Sequence, residues 1–187
     1  MTDATTTIDL PGYKAGTWVL DPSHSEVRFT VRHLAISKVR GVFGVKSATI
    51  VAPENPLAAK VTASADAASV DTKDEGRDNH LRSADFFDVE QFPTIDFVST
   101  GVRYEGGDFL VDGDLTIHGV TKPVTFEVEF GGFGTDPWGN YKAGATAKTV
   151  INREDFGLTW NAALETGGVL VGKDVTIELD LQGSVQV

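Results

Sequence analysis

DTKDEGRDNHLRSADFFDVEQFPTIDFVST, residues 71–100, is the stretch whose reading decides the fold. Thr72 and Glu75 fit a capping box, in which each side chain satisfies the other residue's free backbone N–H. Asp71 and Asp74 add negative charge at the positive end of the coming helix. Arg77, His80, Leu81 and Ala84 then fall on one stripe, and Asp78 faces Arg82 at i, i+4. The spacing predicts a short charged helix over residues 72–84. Phe86 and Phe87 end it as apolar anchors, and Pro93 disfavours helix at Phe92 and starts an extended segment. Two roles stay open for this helix: a surface crossing between two strands, or a lid that meets a ligand's head group. Loops and crossings carry function more often than scaffolds do.

On both sides of this stretch the pattern is alternating, with Gly, Asp and Asn between short runs. Val27, Phe29, Val31 and His33 share one face of residues 26–33. Phe109, Val111, Leu115 and Ile117 share another, as do Val124, Phe126, Val128 and Phe130, and Val175, Ile177, Leu179 and Leu181. One polar face per strand is the mark of an antiparallel sheet wetted on one side. Between Val45 and Ile50 the alternation breaks, which predicts a bulge near Ser47.

Two strands have an inward face built mainly from alanine: Val61, Ala63, Ala65 and Ala67 in one, and Ala143, Ala145, Ala147 and Thr149 in the other. Alanine is a poor strand former, so its repetition needs a reason. An eight-stranded barrel is just wide enough to be filled by side chains or to hold one small ligand. Small inward residues favour a cavity; the competing reading makes them spacers for Phe29, Phe43, Phe97, Phe126 or Phe130 from opposite walls. The apolar ligand surface expected on the hollow reading is Phe29, Val31, Phe43, Ala63, Ala65, Phe97, Leu115, Ile117, Phe126, Val128, Ala143, Ala145 and Ile177.

The 187 residues suit one domain, with residues 1–16 as a polar tail and 17–187 as the barrel. A formal net charge of -11 argues against nucleic-acid binding, which needs a concentrated basic footprint. Without cysteine, disulfides, thiolate catalysis and zinc–cysteine sites are unavailable. No apolar run has the length of a membrane helix, so stable membrane insertion is not expected. The first sixteen residues show no basic start followed by an apolar stretch, which points to the cytoplasm. A leader removed upstream would make the protein periplasmic or secreted.

Asp21-Pro22-Ser23-His24-Ser25 holds the residue types of a hydrolase triad. Neighbours in an extended chain point to opposite faces, and no Gly-x-Ser-x-Gly elbow is present, so a turn is the better reading. His24, His33, His80 and His118 are too scattered for a local metal motif, and no metal or cofactor is expected. His33, Arg77, His80 and Arg82 are the expected head-group residues, with Lys38, Arg40 and Arg153 behind them. Such cations can hold a phosphate through charge-assisted hydrogen bonds. Local ion pairing of the arginines, with Asp78, Asp85, Asp88 or Asp155, is the alternative. Asp136-Pro137-Trp138-Gly139-Asn140 reads as a hairpin turn with an aromatic cover, and Glu165-Thr166-Gly167-Gly168 as a flexible loop.

The chain also resembles the YceI-like family. The similarity runs through RDNHLRSADFFDVEQFPTIDFVST (77–100), WVLDPSHSEVRFTVRHLAISKVRGVFG (18–44), GDLTIHGVTKPVTFEVEF (113–130) and AKTVINREDFGLTWNAALETGGVLVGKDVTIELD (147–180). These blocks keep their order and cover most of the chain. The resemblance implies a lipocalin-like, antiparallel, eight-stranded extended β-barrel. It implies non-catalytic binding, transport or storage of a polyisoprenoid or similar long-chain lipid, with a diphosphate or quinone head. An enzyme acting on such a lipid through His33, His80 or Asp21, and a structural or stress-related barrel with a filled core, stand as alternatives. A strand edge left open would also let two copies pair as a homodimer.

Overall fold

The computed structural model describes residues 8–165 and 167–186. Nine strands run β1 Gly16–Leu20, β2 Glu26–His33, β3 Ser37–Ala52, β4 Lys60–Asp71, β5 Thr94–Glu105, β6 Asp108–Ile117, β7 Val120–Thr135, β8 Tyr141–Asn152 and β9 Val171–Val185, with one α-helix, α1, at Glu75–Arg82. All neighbouring pairs are antiparallel. β1 and β2 both lie between β3 and β9, so they fill one position in the ring. The nine strands therefore make an eight-position barrel, closed by pairing of β3 with β4 and of β9 with β1 and β2. Closure gives each strand neighbours on both sides, although β5 beyond Ser99 pairs with β6 alone and β7 beyond Val128 with β8 alone.

The break between β1 and β2 is local chemistry. Asp21 caps a single turn of 3-10 helix at Pro22–His24 by accepting from the Ser23 N–H, and Pro22 supplies the fixed φ. The expected bulge is present: the β3–β4 register slips between Val45 and Ser47. β6 and β7 are joined by His118 and Gly119, both at positive φ. The Phe92 ring lies over that turn so closely that a Cβ on Gly119 would meet it at 2.5 Å. The β7–β8 turn is held by Asp136, whose Oδ1 accepts from the Trp138 and Asn140 N–H groups. Trp138 itself is 83% exposed, so the turn is as expected but its aromatic covers nothing. The Glu165–Gly168 loop is pinched by a bridge between Ala163 and Val169; Thr166 lies outside the described residues.

Most buried apolar side chains gather at one end, with Trp18 and Ala52 buried at the other. Phe43, Ala65 and Val70 form one cluster, and Leu115, Ile117, Ile151, Phe156 and Leu158 another; Phe87 and Ile95 pack against both. These positions lie toward the end where α1 crosses from β4 to β5. Phe87 meets Phe43 edge-on at 5.3 Å, and Phe86 is buried against Trp160, so the paired phenylalanines do anchor the helix. At the opposite end the described part of the tail is tied down. Tyr13 Oη donates to the Pro53 carbonyl at 2.6 Å, Tyr141 Oη donates to the Gly12 carbonyl at 2.6 Å, and the Lys14 ammonium sits 3.8 Å from the Tyr141 ring centroid. The first seven residues of the expected tail lie outside the described residues.

The outer face carries ion pairs, of which Arg103–Asp112 is the best formed. Arg103 Nε and Nη2 donate to the two Asp112 oxygens at 2.7 and 2.9 Å, and Thr125 Oγ1 adds a third bond. Arg103, and after it Thr125, push the Asp112 carboxyl down to about 2. A depressed carboxylate stabilises the fold above its unfolded value of about 3.9 and loses that contribution as pH falls through its folded value. We expect unfolding midpoints in urea to fall between about pH 4 and 2, and Asp112→Asn to flatten that slope. An unchanged acid slope in the variant would remove Asp112 from the account.

Candidate functional site

The barrel encloses an apolar cavity of about 720 Å³. Apolar cavities of about 150 Å³ already stay dry and take up apolar molecules, and ligand pockets run from about 300 to 1,000 Å³. Every apolar residue expected from the sequence borders it: Phe29, Val31, Phe43, Ala63, Ala65, Phe97, Leu115, Ile117, Phe126, Val128, Ala143, Ala145 and Ile177. The hollowness is visible in exposure as well. Val175, Ile177, Leu179 and Leu181 point inward yet are only half-buried, because their free surface belongs to the cavity.

The alanines divide between the two readings. Ala63, Ala143 and Ala145 are half-buried and face open volume. Ala67 is 1% exposed and does not border the cavity. Ala65 and Ala147 border it but are buried, and Ala65 packs with Phe43 and Val70. The set is therefore spacer at the α1 end and cavity wall beyond it.

Several cavity residues escaped the sequence reading. Leu10 and Tyr13, assigned to the tail, border the cavity at the end away from α1, beside Trp18, Phe130 and Phe133. Trp18 and Phe133 are 5.8 Å apart between centroids, and Phe133 stacks on Tyr141. The available signal was an apolar residue on each side of Pro11-Gly12 in an otherwise polar segment. Trp160, in the long β8–β9 connection, stands edge-on to His80 at 4.6 Å and borders the cavity at the α1 end.

The helix differs from its sequence reading in three ways. It spans Glu75–Arg82, shorter than residues 72–84. Its N-cap is Asp74, whose Oδ1 accepts from the Arg77 N–H at 2.9 Å, so the Thr72–Glu75 capping box does not form. Thr72 is instead buried and committed to Asp78: its N–H and its hydroxyl both donate to Asp78 Oδ1, at 2.9 and 2.6 Å. Asp78 is thus turned inward and makes no pair with Arg82.

The expected head-group residues are treated unequally. Arg77, His80 and His33 border the cavity at the α1 end. Arg77 is partly occupied, donating from Nε to Thr72 Oγ1 at 2.7 Å and from Nη2 to the Thr72 carbonyl at 2.8 Å. His80 Nε2 is 2.9 Å from Asp85 Oδ2. Arg82 does not border the cavity. It clamps the helix to β4, donating from Nε to the Ala68 carbonyl and from Nη2 to the Val70 carbonyl. Lys38 and Arg40 are exposed on β3 and also stay off the cavity. Arg153 does border it, and is buried rather than paired in a turn. The expected ion pair of Arg153 with Asp155 is absent.

Asp21, Ser23 and His24 do come together, but as a turn. Asp21 Oδ2 lies 2.6 Å from His24 Nδ1, and the same Nδ1 lies 3.1 Å from Ser23 Oγ. One ring nitrogen thus faces both partners, whereas a triad needs opposite nitrogens for acid and nucleophile. Hydrogen bonds from Ser23, then His24, hold the Asp21 carboxyl well below the usual carboxylate range. The cluster lies outside the cavity, away from His33 and His80. Among the described residues no group of three or more His, Cys, Asp and Glu is arranged to hold a metal ion, and no helix is long and apolar enough to cross a membrane.

A family model described as a YceI-like domain matches residues 18–183. A UPF0312 protein of Staphylococcus aureus (strain MSSA476) is 41% identical over 170 residues, which are 90% of this chain and 97% of that protein. Among solved structures, BcnA of Burkholderia cenocepacia is similar at a TM-score of 0.75 and 23% identity, over 87% of this chain and 98% of that one. The Campylobacter jejuni YceI protein is similar at 0.67 and 27% identity, over 83% and 90%. A polyisoprenoid binding domain from Saccharophagus degradans, implicated in plant cell wall breakdown, is similar at 0.65 and 16% identity, over 90% and 98%.

Proposed function

The chain belongs to the YceI-like domain family, and from that premise we propose that it binds a polyisoprenoid or similar long-chain amphiphilic lipid inside the barrel, carrying or storing it without chemical change. The observation that carries this reading is the continuous apolar cavity of about 720 Å³, whose walls keep accessible surface that only a ligand would cover. The polyisoprenoid binding domain from Saccharophagus degradans supplies the chemical precedent on the same fold. Affinity would come from burial, at roughly 25 cal/mol per Å² of apolar surface removed from water. Each 100 Å² of chain is then worth about 2.5 kcal/mol before the entropy of ordering it. The head would lie at the α1 end, where His33, Arg77, His80 and Arg153 border the cavity.

Extraction of the purified protein with organic solvent, followed by mass spectrometry, tests the reading together with titration by an apolar fluorescent probe. The expected result is one probe per chain, displaced by a long prenol, and an intact lipid in the extract. A stripped protein that takes up neither probe nor prenol would sink the proposal and leave a structural barrel.

A further inference from the structure

Arg153 is 4% exposed and begins the 3-10 turn Arg153–Phe156 that follows β8. Its partners are all backbone carbonyls. Nε donates to Gly172 at 2.8 Å, Nη1 donates to Leu158 and Trp160, and Nη2 donates to Val171 at 3.4 Å. A guanidinium has five N–H donors, so these four bonds leave one, on Nη2. No carboxylate of the described residues makes an ion pair with it. Glu154, its chain neighbour, is turned to Lys173 at 3.2 Å.

This is a charge in the wrong setting unless something answers it. Arginine keeps its proton in proteins. Burial lowers the Arg153 pKa from its ordinary value, with the charge of neighbouring Glu154 opposing only part of the fall, which is the sign of a desolvated cation. Four carbonyl dipoles offset part of that penalty, but a buried ion without a counter-charge remains costly. The side chain borders a cavity that is otherwise nearly all hydrocarbon, beside Leu158, Trp160 and Val171. The ionisable groups toward this end of the cavity are Arg32, His33, Arg77, His80 and one acid, Asp96, which accepts from Thr94 Oγ1 at 2.8 Å, and Asp85 is engaged by His80. In a chain of net charge -11, the polar end of the cavity is cationic.

We propose that Arg153 is the buried anchor for an anionic head group, a carboxylate or a phosphate, so that the barrel selects acidic amphiphiles over the neutral alcohols of the same chain. The proposal rests on the lipid-binding reading above and adds the charge of the ligand to it. The spare Nη2 donor gives a head-group oxygen a charge-assisted hydrogen bond in a low dielectric, where such bonds are strongest. The carbonyls that hold the other donors fix the guanidinium before the ligand arrives.

Competition against an apolar fluorescent probe tests this with two matched pairs: a long fatty acid against its alcohol, and a prenyl monophosphate against its prenol. In the wild type the anionic member should bind about tenfold to a hundredfold more tightly. Arg153→Gln should bring both ratios close to one while the alcohols keep their affinity, and Arg153→Lys should restore part of the preference. Should Arg153→Gln fail to fold, the wild type still decides. The Arg153 guanidinium resonance, identified in arginine-labelled protein through the Lys variant, should move with the anionic ligand and not with the alcohol. Equal binding of acid and alcohol would overturn the anchor and leave lipid binding standing. Failure of all four ligands to displace the probe would overturn both. Inorganic phosphate alone reproducing the resonance shift, with no gain from the chain, would make this a free-anion site and overturn the head-group assignment.

Discussion

Replacing Ala145 with tryptophan is expected to lower lipid affinity by about a hundredfold while the barrel stays folded. Ala145 faces inward from β8, paired with Phe130 on β7 and Leu181 on β9, and it is only half-buried because the cavity lies in front of it. An indole there enters open volume rather than packed side chains. Displacing about 110 Å² of ligand contact at about 25 cal/mol per Å² removes about 2.7 kcal/mol, which is a hundredfold. Ala65 is the contrast. It is packed with Phe43 and Val70 in a buried cluster. A large residue there should destabilise the fold by about 1–3 kcal/mol through overpacking, with less selective loss of binding. Probe titration beside urea unfolding separates the two effects. If the Ala145 variant is stable and binds lipid like the wild type, the ligand does not occupy the barrel interior.

The difference between these two alanines marks how far the sequence could be read. Period-two alternation located the strands and their inward faces, and with them each apolar cavity residue named in advance, because a strand side chain has only two directions to choose from. The bulge near Ser47 was legible for the same reason. What alternation cannot show is the depth of a position along the barrel, so Ala65 and Ala145 looked alike although one lies beneath Phe43 and the other beside open space. The helix was legible as an element, but its capping depended on competition. Thr72 and Asp74 both stood in capping range, and Asp78, six residues on, took the Thr72 hydroxyl. Arg82 and Arg153 were unreadable for a further reason. Apart from the Asn79 side chain, which takes one Arg82 donor, their partners are backbone carbonyls, of Ala68 and Val70 for Arg82 and of Leu158, Trp160, Val171 and Gly172 for Arg153, and a carbonyl has no signature in sequence. Both arginines therefore looked like exposed charges awaiting a carboxylate or a ligand.

Asp78→Ala should be the most damaging single change at the mouth of the barrel, lowering stability by about 2–4 kcal/mol. An eight-residue helix of sequence EGRDNHLR has neither the length nor the apolar face to hold itself together. It is held by Leu81 and the two phenylalanines from below, and by side-chain hydrogen bonds from above. Asp78, 6% exposed, is the centre of those bonds. Its Oδ1 receives the Thr72 N–H and hydroxyl, and the same hydroxyl receives Arg77 Nε. Alanine would leave the buried Thr72 N–H with no acceptor and the Thr72 hydroxyl turned toward nothing, each costing about 1–3 kcal/mol with partial relief from water. Asparagine keeps an acceptor oxygen at the same place, so Asp78→Asn should lose about 1 kcal/mol or less. Arg77, His80 and Leu81 border the cavity from this helix, so loosening it should also speed the release of a bound probe. Urea unfolding and stopped-flow probe release on both variants check the two effects together. An alanine variant that loses no more stability than the asparagine variant, with an unchanged release rate, would mean that the apolar anchors alone seat the helix.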